Sequence, residues 1–531
     1  MRTRSSAAVI VFLSAILSLQ TQKIGFADET RVAPYVPGEV LLKFRSQVSS
    51  AEKIELRSET GATHLRTFRS GLQHWRLPAS SSVERTIIDF KYDSRIEYIE
   101  PNHIGEFQLD PNDTYYPDQW APPLMDAPDA WDVTTGDPNV IVAVIDTGTA
   151  FTHQDLVGRI WFNDDPVGGG DDDENGFTDD QLGWDFANND NNPYPAVNVH
   201  GTRVAGIIAA ALNDVGVVGI APDVRLMIIL AGDNTITEAN AIAAFEYAVG
   251  EGAKIINASF RFLGCGTETP CHKSLEEVIG DAWQKEVLFV APAGNEGKDI
   301  DDTNYPCYPA NFDLPNIISV AATDPNDDLA SFYPAEGSSS YGATSVDLGA
   351  PGKSIYTTDW ESTELPVDQM YYFDDFSGTS AAVPHVAGVA ALVYSRNPDM
   401  PAEIAKARIL ENVDAVSSLV GITVTEGRLN AYAPLLNFDS NAPATISNLA
   451  GTGSGNGSFS IQWVSTGDDG TDGSAVLYEV RTSTSSISSG NWLMATRALN
   501  EPIPDPNSGV TESMTVSNLS GGTVYYVAFI G

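Results

Sequence analysis

The run Val140-Ile-Val-Ala-Val-Ile-Asp-Thr-Gly148 constrains this chain more than any other stretch. Its apolar residues leave no polar face, so the strand they form must be buried on both sides. Such a strand belongs to a parallel sheet with helices on either face. The run ends at Asp146, and Thr147 and Gly148 break it. Catalytic and ligand-binding groups collect at the carboxyl ends of parallel strands, which makes Asp146 a candidate functional residue. Further strands are expected over 226–230, 254–259, 287–291 and 317–321, and helices over 238–249, 274–284 and 401–412. This alternation predicts an α/β domain built on a parallel sheet with helices on both faces.

Two other stretches open helices with reactive side chains. Ser377-Gly-Thr-Ser-Ala-Ala-Val-Pro-His-Val-Ala-Gly388 reads as a loop turning into a buried helix, with Ser380 at its N-terminus near the positive end of the dipole. Pro384 is expected in the first turn, where a missing N–H does least harm. Alone, Ser380 reads as a helix cap. His200-Gly-Thr-Arg-Val-Ala-Gly206 opens a second apolar helix, where a lone histidine is ordinarily structural. Together with Asp146 they form a chemical set. A serine hydroxyl is a weak nucleophile and needs a base. Imidazole titrates near neutrality, takes that proton and returns it to a leaving amine. A buried carboxylate fixes the imidazole tautomer and stabilises its cation.

The motifs VIDTG, HGTRVAG and GTSAAVPHVAG resemble, in order, the three signatures of subtilisin-like serine proteases, the subtilases. The resemblance covers roughly 115–435 and implies a catalytic triad of Asp146, His200 and Ser380. It also implies that Asn295, in Ala291-Pro-Ala-Gly-Asn-Glu-Gly297, is the side-chain oxyanion donor, with the Ser380 N–H as partner. Read locally, that asparagine is a turn residue. Asp347-Leu-Gly-Ala-Pro-Gly352 resembles the tight turn before the serine segment, and Gly427-Arg-Leu-Asn-Ala431 the end of the domain. The resemblance also implies that substrate backbone pairs with the strand of Asn257-Ala-Ser-Phe260; Ser259 and Phe260, with Gly294 beside Asn295, are the expected substrate-binding residues. The family usually follows with glycine, whereas this chain has Arg261. Glu296 lies by the specificity pocket in the family, where it would favour a basic or neutral side chain.

The rest of the chain frames this domain. Arg2 and Arg4, the apolar stretch 7–19 and the small-residue site Gly25-Phe-Ala27 read as a signal peptide over 1–27. The apolar core is too short to span a bilayer. An exported protein is therefore expected, with no membrane association after signal removal. Residues 28–108, with strands over 40–44 and 96–102 and a helix over 51–60, resemble the small α+β inhibitory propeptide of subtilases. Charge marks the boundary. Residues 28–105 hold 11 basic and 11 acidic residues, whereas 106–531 hold 15 and 60. That acidity argues against nucleic-acid partners and suits divalent cations. The expected partners are protein and peptide substrates and the chain's own propeptide, with the enzyme a monomer.

Calcium is the expected cofactor. Residues 171–180 read D-x-D-x-N-G, with Asp171, Asp173 and Asn175 at alternate positions and Asp180 in place of the bidentate glutamate of a standard loop. The family resemblance implies a second site at Asp155 and Asn213, completed by backbone carbonyls near Ala211, Val215 and Val217. Of three cysteines, Cys265 and Cys271 close a short loop and are the first choice for a disulfide. A pairing of Cys307 with either stays open. The domain is expected over 109–435. Beyond it, 442–531 read as short strands. Trp463, Tyr478, Leu519 and Tyr525 resemble a fibronectin type III β-sandwich, cut short before its last strand. The function implied is a secreted, self-processing serine endopeptidase. The alternative is an adhesion or binding protein with an inactive or only self-cleaving protease domain.

Overall fold

A computed structural model describes residues 35–79, 81–104, 111–163, 168–195, 197–265, 271–332, 337–360 and 371–436, with shorter stretches of 450–530. The expected signal peptide lies outside the described residues.

The described residues 35–104 form a separate compact unit. Its helix Ser50–Thr60 starts at a capping box: Ser49 accepts from the Glu52 N–H, and the Glu52 carboxylate accepts from the Ser49 N–H. Gly61 ends it at φ 65°. Four antiparallel strands lie in the order Thr63–Thr67, Leu72–Arg76, Tyr35–Phe44, Ile96–His103, over a core of Val40, Leu42, Leu56, Trp75 and Ile96. The two strands expected from sequence pair with each other, and are joined by Thr63–Thr67 and Leu72–Arg76 and by a second helix, Val83–Phe90, none of them foreseen.

The second unit is built on a nine-stranded sheet. In chain order its strands are β1 (Ile141–Asp146), β2 (Gly183–Asp185), β3 (Arg225–Leu230), β4 (Ile255–Ala258), β5 (Leu288–Pro292), β6 (Ile317–Thr323), β7 (Leu348–Pro351), β8 (Asp414–Ala415) and β9 (Gly427–Arg428). They lie in the order β8-β9-β7-β6-β5-β4-β1-β3-β2, parallel except for β8 against β9. Alternate residues of β1 face opposite cores. Val142 and Val144 share one core with residues of α1 (His200–Ala209), α4 (Thr379–Arg396) and α5 (Ala402–Leu410). Ala143 and Ile145 share the other with residues of α2 (Glu238–Gly250) and α3 (Lys273–Gln284). This is the architecture expected from a strand apolar on both faces.

Two local expectations are corrected. The 347–352 segment is not a turn over its length. Leu348–Pro351 pairs in parallel with Val320–Thr323, with proline tolerated as the last strand residue. Pro384 lies inside α4 rather than in its first turn, because the helix already begins at Thr379.

The C-terminal region is β-rich. Ala450–Gly453, Phe459–Val464 and Thr511–Val516 form one antiparallel sheet; Thr496–Arg497, Glu479–Ser483 and Tyr526–Ile530 form another. Trp463 is buried among Phe459, Ile461 and Met514. Tyr478 and Tyr525 lie outside the described residues. Two fully buried arginines tie this region to the helices of the nine-stranded sheet. Arg481 Nη2 and Arg497 Nη1 reach Glu286 Oε1 at 2.8 and 3.2 Å. Arg497 also stacks 4.7 Å over Trp283 and pairs with Glu403. The other Glu286 oxygen accepts the N–H of Ala402 at 2.8 Å, capping α5.

Candidate active site

β1 delivers Asp146 to the carboxyl edge of the sheet, 7 % exposed. Its oxygens lie 2.8 and 2.9 Å from His200 Nδ1, and Oδ1 also accepts the Thr147 N–H at 2.7 Å. A carboxylate can only accept, so Nδ1 carries the proton and Nε2 is left as the basic nitrogen. Burial pulls the imidazole pKa down, but the charge and hydrogen bond of Asp146 outweigh it, and the pKa is raised. The start of α1 is fixed on β1 by backbone contact. A Cβ on Gly201 would lie 2.2 Å from the Gly148 oxygen and 3.1 Å from Asp146 Cβ. The Gly201 N–H donates to Thr147 Oγ1 at 3.0 Å. Arg203, on the same turn, makes a two-pronged bond to Asp359 at 3.1 and 2.8 Å and stacks 3.8 Å over Phe373.

Ser380 stands in the first turn of α4, entered through Gly378 at φ 142°, a conformation that favours glycine. Four residues before it, Phe376 meets the His200 ring edge-on at 5.3 Å. Asn295 follows β5. Its Oδ1 accepts the Thr379 N–H at 2.9 Å and the Thr379 hydroxyl at 2.8 Å. Because the backbone partner is a donor, the atom facing it must be oxygen, which leaves Nδ2 as a donor beside Gly378. Asp146, His200, Ser259, Phe260 and Arg261 line one open cavity of about 380 Å³. Gly294 is the last residue before Asn295.

The calcium candidates separate. Asp155 is fully buried, and burial pushes its carboxyl up to about 6. Asn213 Nδ2 lies 3.3 Å from Asp155 Oδ1, so that expected pair is together. Sequence reasoning missed Asp113. Its Oδ1 accepts the Asn213 N–H at 3.0 Å, while its buried Oδ2 has no hydrogen-bond partner among the described residues. Two buried carboxylates with an unsatisfied oxygen fit a hard cation. In the acidic loop, Asp173 and Asp180 converge on the amides of Asn163 and Asn175 at 2.9–3.1 Å. Glu251, also unforeseen, joins them through Asn175 at 3.1 Å. The Asp171 carboxylate, in the same loop, accepts the Gly176 N–H at 3.0 Å. Nothing local in the sequence marks Asp113 or Glu251, which come from distant segments.

Cys265 and Cys271 form a disulfide, and Cys307 is free and buried, its thiol pushed up to about 12 by burial.

The fold and this site define a serine protease of the α/β class. The chain belongs to the subtilase family: residues 137–453 match the peptidase S8 subtilase profile, and 23–102 match the fervidolysin N-terminal prodomain. It is 36 % identical over 406 residues to the thermophilic serine proteinase of Bacillus sp. (strain AK1), covering 75 % of this chain and 87 % of that one. It is 36 % identical over 329 residues to thermitase of Thermoactinomyces vulgaris, covering 61 % and 98 %. Among solved structures, a protease from Pseudoalteromonas arctica PAMC 21717 matches with TM-score 0.50 at 24 % identity, covering 62 % of this chain and 99 % of that one, a likeness of fold.

Proposed function

We propose that the chain is a secreted serine endopeptidase, made as a self-processing precursor, with Ser380 as nucleophile, His200 as base and Asp146 orienting it. The observation that carries this reading is the His200 imidazole held by both oxygens of a buried Asp146. Nε2 takes the Ser380 proton as Oγ attacks the scissile carbonyl carbon, then returns it to the departing amine; water repeats the sequence on the acyl-enzyme. Asn295 Nδ2 and the Ser380 N–H receive the developing oxyanion. Ser259, Phe260 and Gly294 bind the substrate. Secretion rests on the signal-like 1–27. Among the described residues, no helix is long and apolar enough to cross a membrane. The prodomain serves as intramolecular inhibitor, cut between about residues 103 and 115.

Asp113, Asp155 and Asn213 would hold one structural calcium ion, and Asp173, Asp180 and Asn175 a second. The ion supplies charge that cancels the repulsion between these carboxylates.

The test uses fluorogenic peptides and the purified, processed protein. Ser380→Ala should lose about 10⁶ in turnover, the figure for the serine of subtilisin, and should leave the precursor uncut. Asn295→Ala should lose about 10²–10³ in kcat, again the subtilisin figure. Near-wild-type hydrolysis by Ser380→Ala would exclude the assignment.

A further inference from the structure

We propose that Arg261, pinned by Glu296, fills the subsite beside the scissile bond and restricts the residue supplying the cleaved carbonyl to a short side chain. This rests on the protease reading above.

A carbonyl oxygen received by Asn295 and the Ser380 N–H fixes where its own residue lies. The Cα is one bond from the carbonyl carbon, so its side chain starts beside the backbone leading into Asn295. That backbone is Gly294, at φ 105° and without a side chain of its own. Ser259, Phe260 and Arg261 line the same cavity as His200. The space over Gly294 is already taken. A Cβ placed there would stand 2.8 Å from Glu296 Oε2 and 3.4 Å from both Cδ and Nε of Arg261. Arg261 and Glu296 form an ion pair, with side chains 28 % and 40 % exposed. Glu296 Oε2 is also tied to the Asn295 N–H at 3.1 Å. Arg261 Nε is buried without a hydrogen-bond partner among the described residues, so the arginine stem is packed in rather than extended into water.

A methyl-sized side chain leaves this arrangement intact. A ring or a long chain must displace the arginine stem and separate a partly desolvated pair. Glu296 is already neutralised, so it does not recruit a basic side chain, which leaves the neutral one of the two kinds its position suggested.

The test compares kcat/KM for peptide anilides differing only in the residue before the cleaved bond: Ala, Phe, Lys and Glu. Wild type should prefer Ala over Phe by about tenfold or more, the scale on which a pocket discriminates by size. Arg261→Gly should invert that ratio, chiefly by raising the value for Phe. Glu296→Gln, which releases the arginine, should move it in the same direction and serves if the glycine variant does not fold. A wild-type enzyme that takes Phe as well as Ala, or prefers Glu or Lys, overturns the proposal. So does a ratio unchanged in both variants. Failure of the underlying reading looks different: Ser380→Ala would then hydrolyse the Ala substrate as wild type does.

Discussion

Ser259 Oγ donates a 3.2 Å hydrogen bond to the carbonyl of Ser380, and Pro384 is the reason that carbonyl is available. In an uninterrupted helix the Ser380 oxygen would accept the N–H four residues on, but proline has none. Asn257 Nδ2 donates to Ser259 Oγ at 3.0 Å, which directs the serine's own proton onward to Ser380. The residue after β4 thereby replaces a helical bond and joins the end of that strand to the backbone of Ser380.

On the proposed role of His200 as base, its raised pKa should set the acid limb of activity. A base must be neutral to accept a proton, and Asp146 stabilises the protonated imidazole beyond the loss from burial. The midpoint of the acid limb in kcat/KM should therefore lie above the ordinary imidazole value of 6.5. Asp146→Asn should move that limb to lower pH and reduce kcat by about 10⁴, the loss known for a serine protease in which the amide imposes the wrong tautomer. A pH–rate profile on both proteins decides it; a wild-type limb centred well below 6.5 contradicts the geometry.

Calcium dependence should show in the Ser380→Ala protein, where autolysis cannot interfere. A ligand bound only by the native state stabilises it by about 2.7 kcal/mol at a hundredfold excess over Kd. Chelation should lower Tm, magnesium should restore it poorly because it demands octahedral geometry, and Asp113→Asn should remove part of the calcium response. Superimposable melting curves in calcium and in chelator would show that these carboxylates hold no ion.

Glu286→Gln tests the tie to the C-terminal sheets. It leaves Arg481 and Arg497, both fully buried, without their shared carboxylate. Breaking a buried pair from one side costs about 3–5 kcal/mol. Thermal melting should register a loss of that size, and limited proteolysis should release the C-terminal region sooner. Unchanged melting and cleavage would mean the contact is held by other groups.

Asp146, His200, Ser380 and Asn295 were legible in the sequence because each lies at the mouth of an element with a strong apolar pattern. The parallel sheet was legible for the same reason. What stayed hidden has no local period. Asp113 meets Asn213 across 100 positions, and Arg481 meets Glu286 across 195. Arg261 and Glu296 both stood out by position, but their pairing is a fact of three dimensions. The prodomain strand Thr63–Thr67 was missed because its residues are mostly exposed and polar. Pro384 was misplaced by a turn because the helix starts directly after Gly378.

The close approach of Gly201 to the Gly148 oxygen sets a limit on redesign. Directed evolution of such an enzyme normally explores side chains around the reacting groups. Here the spacing between carboxylate and imidazole is held by two backbones in contact, and no library of side chains at residue 201 can tune it. Every replacement brings a carbon where there is no room, so that codon should return only glycine from any selection for activity. Diversity is better directed to residue 261, where the chain already departs from the family's usual glycine.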